Sequence, residues 1–160
     1  MNYYRSIMKR YKTVLFLYMF LLAASASFGQ NPELSSGFDP ERNPSEDLKL
    51  AMKIADAEKK FIILDVGGSW CKWCRHLDSF IKASEKISVL LNERFVLLKV
   101  NYSKENKNEE FLKRYPEIKG FPHFFVLDSK GNLLESKNTG ELEAGESYDE
   151  DKIINWLNTF

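Results

Sequence analysis

The chain of 160 residues has little of what marks many function classes: only two cysteines and two histidines, and no net charge. One pair of cysteines closes at most one bridge, which excludes a disulfide-dense scaffold. With 23 basic residues against 23 acidic ones, nothing in the charge balance selects a nucleic acid as partner. No apolar stretch reaches the roughly 20 residues that cross a bilayer as a helix. There is no internal repeat, low-complexity tract or heptad pattern, so solenoids and coiled coils are excluded and the oligomeric state is left open. What remains is an ordinary composition, 44% hydrophobic and 29% charged, suited to one domain with a real core.

The charge is unevenly spread. Arg5, Lys9, Arg10 and Lys12 lie in the first 29 residues, which hold no acid, and without them 19 basic residues face 23 acidic ones. A basic stretch to Lys12, an apolar stretch from Val14 to Ala24 and small residues to Gly29 form the layout of a secretory signal peptide. Cleavage is expected after Ala26 or Gly29, giving an exported chain, periplasmic or secreted; an uncleaved anchor is the competing reading. No cysteine adjoins either site, which excludes a lipid on an N-terminal cysteine.

Asn31 to Pro44 is rich in Pro, Ser, Asn and Gly without periodicity, so residues 30–44 are expected to form an extended lead-in to a domain over 45–160. Ser45 can cap a helix in which Leu48, Ala51, Met52 and Ala55 recur at helical spacing, ending near Lys59-Lys60. Phe61 to Val66 and Phe95 to Val100 are β-branched apolar runs, read as buried strands. Between them a helix runs from the cysteines through Leu77, Phe80 and Ile81, breaks near Ala83-Ser84 and resumes to Leu91. Glu109 to Tyr115 is a short helix stopped by Pro116. Phe124 to Leu127, the turn Asp128-Ser129-Lys130-Gly131, and Asn132 to Ser136 predict a hairpin. Ser147-x-x-Glu150 reads as a capping box before a last helix that buries Ile153, Ile154, Trp156 and Leu157.

The chemistry centres on Cys71-Lys72-Trp73-Cys74, reached from the first strand through Gly67-Gly68. At a helix N-terminus, unpaired N–H groups and the dipole favour the Cys71 thiolate, the form that attacks disulfides. Cys74, one turn on, can close a disulfide with it and resolve a mixed intermediate. Two cysteines in an exported protein also admit a structural bridge, and the thiols a metal. A two-residue gap constrains an unfolded chain little, which favours redox use over a structural role. His76 and His123 could complete a tetrahedral metal site with the two sulfurs; the blander reading puts His76 on the helix surface and His123 beside the groove. Haem attachment is excluded, because Arg75 and not histidine follows Cys74.

Asp65 on an apolar strand would be desolvated, raising its pKa and fitting it to relay a proton to or from Cys74; a solvent-exposed or turn-capping carboxylate is the alternative. Pro122 can begin an edge strand in trans, or form a cis bond that turns the Phe121 backbone toward an extended substrate. Trp70, Trp73 and Phe121 are candidates for an apolar substrate collar, although aromatic residues are more often core. Lys99 inside an apolar strand calls for a paired charge.

From about Ser45 to Phe160 these residues resemble the thioredoxin family. Trp70-Cys71-x-x-Cys74 is similar to its redox motif. Asp65 stands where the family has a buried carboxylate, Lys99 where it has a nearby lysine, and Pro122 after Gly120-Phe121 where it has a cis-proline. The resemblance implies an α/β thioredoxin fold, a central mixed β-sheet flanked by helices on both faces. It also implies a thiol:disulfide oxidoreductase with the Cys71–Cys74 pair as its redox group and no further cofactor. Gly-Gly-Ser-Trp-Cys, the long helix after it and the export signal are most similar to domains of the thiol:disulfide interchange reductase type. Partners would be exported protein thiols and disulfides and an electron donor in the membrane. Lys72 and Trp73 replace the glycine and proline of ordinary thioredoxin; Lys72 favours a thiolate and Trp73 adds an apolar wall, leaving the direction of electron flow open. Rival readings are a peptide-binding module with a permanent bridge, and a metal carrier.

Overall fold

The structure, a computed structural model, describes residues 33–160. The signal peptide expected over 1–29 and the start of the lead-in lie outside the described residues. Among the described residues no helix is long and apolar enough to cross a membrane.

The apolar runs form three adjacent strands of a four-stranded sheet. β1 (Phe61–Gly67) is buried from Ile62 onward and pairs in parallel with β2 (Phe95–Asn101), with Phe61 opposite Phe95 and Asp65 opposite Lys99. On its other side β1 pairs antiparallel with β3 (His123–Leu127), which forms a hairpin with β4 (Leu133–Asn138), giving the order β2-β1-β3-β4. This is the thioredoxin fold, a mixed sheet with helices on both faces. In the hairpin turn, Gly131 takes φ 84°, and Asp128 accepts the N–H groups of Lys130 and Asn132.

Side chains alternate across the sheet, so each strand serves two layers. Ile62, Leu64, Val66, Leu98 and Phe125 pack with Leu48, Ala51 and Ala55 of α1 (Pro44–Glu58). Ile63, Phe124 and Val126 pack on the other face against Leu77 of α2 (Lys72–Ala83), Ile87 of α3 (Glu85–Arg94), and Ile153, Trp156 and Leu157 of α5 (Glu150–Leu157). Each fully buried aliphatic side chain here contributes roughly 1.5–3 kcal/mol. Asp65 and Lys99 share the parity of Ile63 and Leu97, which directs both toward the face that carries the cysteine helix.

Several boundaries differ from the sequence reading, each for a local reason. Asn43, not Ser45, caps α1: its Oδ1 accepts the Ser45 N–H at 3.0 Å, and Pro44 takes the first helical position, where it needs no donor. The predicted break falls at Ser84, which ends α2 and caps α3 by accepting the Ile87 N–H at 3.2 Å. α4 is only Glu109–Leu112, because Pro116 disfavours helical backbone at Tyr115, whose ring instead stacks on Phe125 at 4.9 Å. The last helix is capped by Asp149, which accepts the Lys152 N–H at 3.0 Å. Ser147 is not the cap, because it pairs in a small hairpin of β5 (Glu143–Ala144) and β6 (Ser147–Tyr148). Ile154 is only partly buried.

Candidate active site

Cys71 is the N-cap of α2, and its Sγ accepts the Cys74 N–H at 3.1 Å. The two sulfurs form a disulfide, with Cα atoms 5.2 Å apart. Both residues are buried, Cys71 at 5% and Cys74 at 1% exposure. Gly67, at the end of β1, makes room for them: a Cβ there would lie 2.6 Å from Cys74 Sγ and 3.0 Å from Phe38 Cζ.

Under the helix lies a charge cluster. Asp65, 1% exposed, accepts from Lys99 Nζ through Oδ2 at 2.5 Å, the interaction expected from the sequence. Lys99 also bonds Asp78, one helical turn beyond Cys74, and its Nζ sits 4.7 Å from the centroid of the Phe38 ring. Asp65 Oδ1 has no hydrogen-bond partner among the described residues. Burial raises the Asp65 carboxyl above its ordinary range, although Lys99 pulls the other way. Burial alone would depress Lys99, but Asp65 and Asp78 more than offset it and hold the ammonium charged. One cation thus faces two carboxylates, and the fully buried Asp65 is the one placed to hold a proton.

The aromatic residues divide into two groups. Trp70, 55% exposed, is pinned by its Nε1–H, which donates to the Tyr102 carbonyl at 2.6 Å. It meets the Phe121 ring edge-on at 5.8 Å, and Phe121 stacks on Tyr102 at 4.7 Å. Beside Trp70 and Tyr102 a mainly apolar hollow of about 440 Å³ is rimmed by Lys104, Glu105 and Lys107. Trp73 is stacked on His76 at 5.3 Å and edge-on to Tyr148 at 5.6 Å, while Trp70 and Phe121 are joined by Tyr102. The Phe121–Pro122 peptide is cis, and Pro122 O accepts from Thr139 Oγ1 at 2.6 Å.

The two histidines lie apart from the sequence reading. His76 is half-buried between Trp73 and Tyr148, with Nε2 3.3 Å from Ser147 Oγ. His123 is buried on β3, its Nε2 2.9 Å from Ser136 Oγ, and burial lowers its pKa. Among the described residues no three side chains from His, Cys, Asp and Glu stand where they could hold a metal ion.

Sequence reasoning missed Asp78, Tyr102, Thr139 and Phe38. Asp78 left a usable signal, since a residue four after Cys74 shares its helix face. Phe38 left none inside its aperiodic lead-in.

A family model described as a thioredoxin-like domain matches residues 48–149. The chain belongs to that family. Among relatives of this thioredoxin-like domain is the "Thiol:disulfide interchange protein DsbD" of Actinobacillus pleuropneumoniae serotype 5b, 27% identical over 111 residues, covering 69% of this chain and 18% of the relative. The protein of the same name from Yersinia pestis (strain Pestoides F) is 25% identical over 118 residues, covering 73% and 19%. The chain therefore spans less than a fifth of the length of these curated relatives. A solved structure of a disulphide isomerase from Xylella fastidiosa Temecula1 superposes with a TM-score of 0.67 at 23% identity, covering 79% of this chain and 98% of that one. The oxidised C-terminal domain of DsbD from Neisseria meningitidis gives 0.54 at 23% identity, covering 78% and 98%. These two likenesses agree with the thioredoxin-like fold built above from its strands.

Proposed function

We propose that the domain is an exported thiol:disulfide oxidoreductase that works as a reductase. The observation that carries this reading is the Cys71–Cys74 pair closed at the N-terminus of α2, with the buried Asp65 carboxylate beneath that helix leaving Oδ1 without a partner among the described residues. In the reduced form the Cys71 thiolate, favoured by the helix N-terminus, attacks one sulfur of a substrate disulfide. That sulfur bonds to Cys71, and the other leaves as a thiolate and takes a proton. Cys74 then gives its proton to Asp65, and its thiolate attacks Cys71 Sγ. The mixed disulfide breaks, the Cys71–Cys74 disulfide forms, and the second substrate sulfur leaves with a proton. Two electrons pass from the dithiol to the substrate, and the proton on Asp65 is later released.

Substrate chain would lie along Phe121 and Pro122, with Trp70 and Tyr102 as its apolar floor, while Trp73 braces the cysteine helix from behind. Exchange at this pair is supported by the relatives named for thiol:disulfide interchange, and its direction is read from the potential of the pair. The disulfide is then the only redox group needed, the partners are exported thiols and disulfides, and a membrane donor restores the dithiol. On this reading residues 1–29 are removed on export, after Ala26 or Gly29.

The deciding experiment titrates the pair in dithiothreitol and glutathione buffers and follows reduction of a disulfide-bonded peptide. A potential near the thioredoxin value of roughly −270 mV, with activity lost in Cys71→Ser, is expected. A value near roughly −120 mV would make the domain a disulfide donor. Absence of exchange would leave the pair a structural bridge.

A further inference from the structure

The lead-in before α1 carries one aromatic residue among the described residues, Phe38, and it is set against the ion cluster. Its ring lies 4.7 Å from Lys99 Nζ, and its edge fills the space beside Gly67 that the Cys74 sulfur borders. Phe38 is itself half-buried, while the Lys99 side chain beneath it is only 4% exposed.

The segment around Phe38 is fastened on both sides. Before it, Ser35 Oγ donates to Gly37 O at 2.8 Å and accepts the Gly37 N–H at 3.2 Å. After it, Asp39 Oδ1 accepts the Glu41 N–H at 2.9 Å, and Pro40 O accepts from Asn106 Nδ2 at 2.9 Å. Asn106 is in turn held by Asn101, whose Nδ2 donates to its carbonyl at 2.9 Å, and Asn101 O accepts from Asn108 Nδ2 at 2.7 Å. A ladder of three asparagines thus ties the lead-in to the end of β2, the strand that carries Lys99. So many directional contacts for a short connecting segment are those of a part with a fixed place.

The charged and titratable groups here come from every element that meets Lys99 and Asp65. Asp65 comes from β1, Lys99 from β2, and Cys74 and Asp78 from α2. Tyr148 comes from β6; its buried hydroxyl feels the Asp65 charge. The lead-in adds Asp39, whose charge acts on Arg42, and Arg42 is paired with Asp47. What the lead-in sets against Lys99 is the apolar Phe38 ring, and an apolar ring over a buried cation excludes water and favours the charge with its π-face.

We propose that Phe38 is a positioning residue of the redox centre: it closes the buried Asp65–Lys99 pair to water on the Gly67 side, so that the Cys74 proton passes to Asp65 and not to solvent. The inference rests on the reading of Cys71 and Cys74 as an exchanging dithiol. It makes residues 34–43 part of the catalytic apparatus.

The test uses the full chain with two readouts, the pH profile of peptide-disulfide reduction and the titration of the Asp65 carboxyl by carbon NMR. In Phe38→Ala the Asp65 midpoint falls by about one unit as water enters, and the matching limb of the rate profile moves with it. Phe38→Leu, which keeps an apolar cover, stays near wild type. In an Asp65→Asn background Phe38→Ala no longer moves the profile. If alanine at 38 unfolds the chain, Phe38→Gln, similar in size but permeable to water, takes its place with the same expectation. An unmoved Asp65 midpoint overturns the proposal, as does a leucine variant that behaves like alanine. A moved NMR midpoint with an unmoved rate profile overturns the relay while the dithiol reading stands. Loss of all exchange in the wild-type chain overturns that reading as well.

Discussion

Lys99 Nζ lies 2.5 Å from Asp65 Oδ2 on the neighbouring parallel strand and also bonds Asp78 on the cysteine helix. One ammonium joins two strands and α2 inside the protein. This cluster and the site around it lead to four predictions.

Because burial raises the Asp65 carboxyl, the folded state binds this proton more tightly than the unfolded chain does. Its contribution to stability is complete below the ordinary carboxyl range and is lost as pH rises through the raised value. Lys99 is raised too, by its carboxylates, so its contribution persists below the unfolded lysine value and is lost only in strong alkali. Asp65→Asn should therefore gain stability relative to wild type as pH rises from 3 to 8, and equal it near pH 3. Urea unfolding at the two pH values measures this difference, and equal gains at both would contradict it.

Lys99→Met leaves the buried Asp65 without its counter-charge among the described residues, beside the partly exposed Asp78. The expected loss is about 3–5 kcal/mol at neutral pH. Adding Asp65→Asn should recover more than half of it, which a double-mutant cycle of denaturation midpoints will read.

Gly67→Ala forces a methyl to within 2.6 Å of Cys74 Sγ. The end of β1 or the start of α2 has to shift, at a cost of about 1–3 kcal/mol. Closure of the disulfide should suffer as well, so thiol labelling at a fixed redox buffer should find more free sulfur than in wild type.

Thr139→Val keeps the shape but removes the hydroxyl that donates to Pro122 O, leaving a buried carbonyl unpaired. The expected loss is about 1–3 kcal/mol. If Pro122 shapes the substrate groove, KM for a peptide disulfide should rise more than kcat falls. A change confined to kcat would count against that role.

Much of the fold could be read from local pattern. β1, β2 and β3 are buried on both faces and so read as unbroken apolar runs, and the stop at Ser84 announces itself as a new cap. The caps at Asn43 and Asp149 were harder to find, because each has another good capping residue two positions away and tertiary pairing makes the choice. In the site, Asp65 and Lys99 stand out because each breaks an apolar run, and Cys71 and Cys74 by their two-residue spacing. Asp78 and Tyr102 look like ordinary surface residues until α2 is laid on β2, and the place of Phe38 follows only from a loop whose hydrogen bonds are long-range.

The near-complete burial of Cys74, against slight exposure of Cys71, gives the pair a kinetic insulation. Attack from outside meets Cys71 before Cys74, and a partner lying across the rim is best placed to make it. Small thiols and oxidants in the surrounding fluid meet mostly protein. On the proposed reading, the pair exchanges faster with a partner whose chain fits the rim than with the small thiols of its medium.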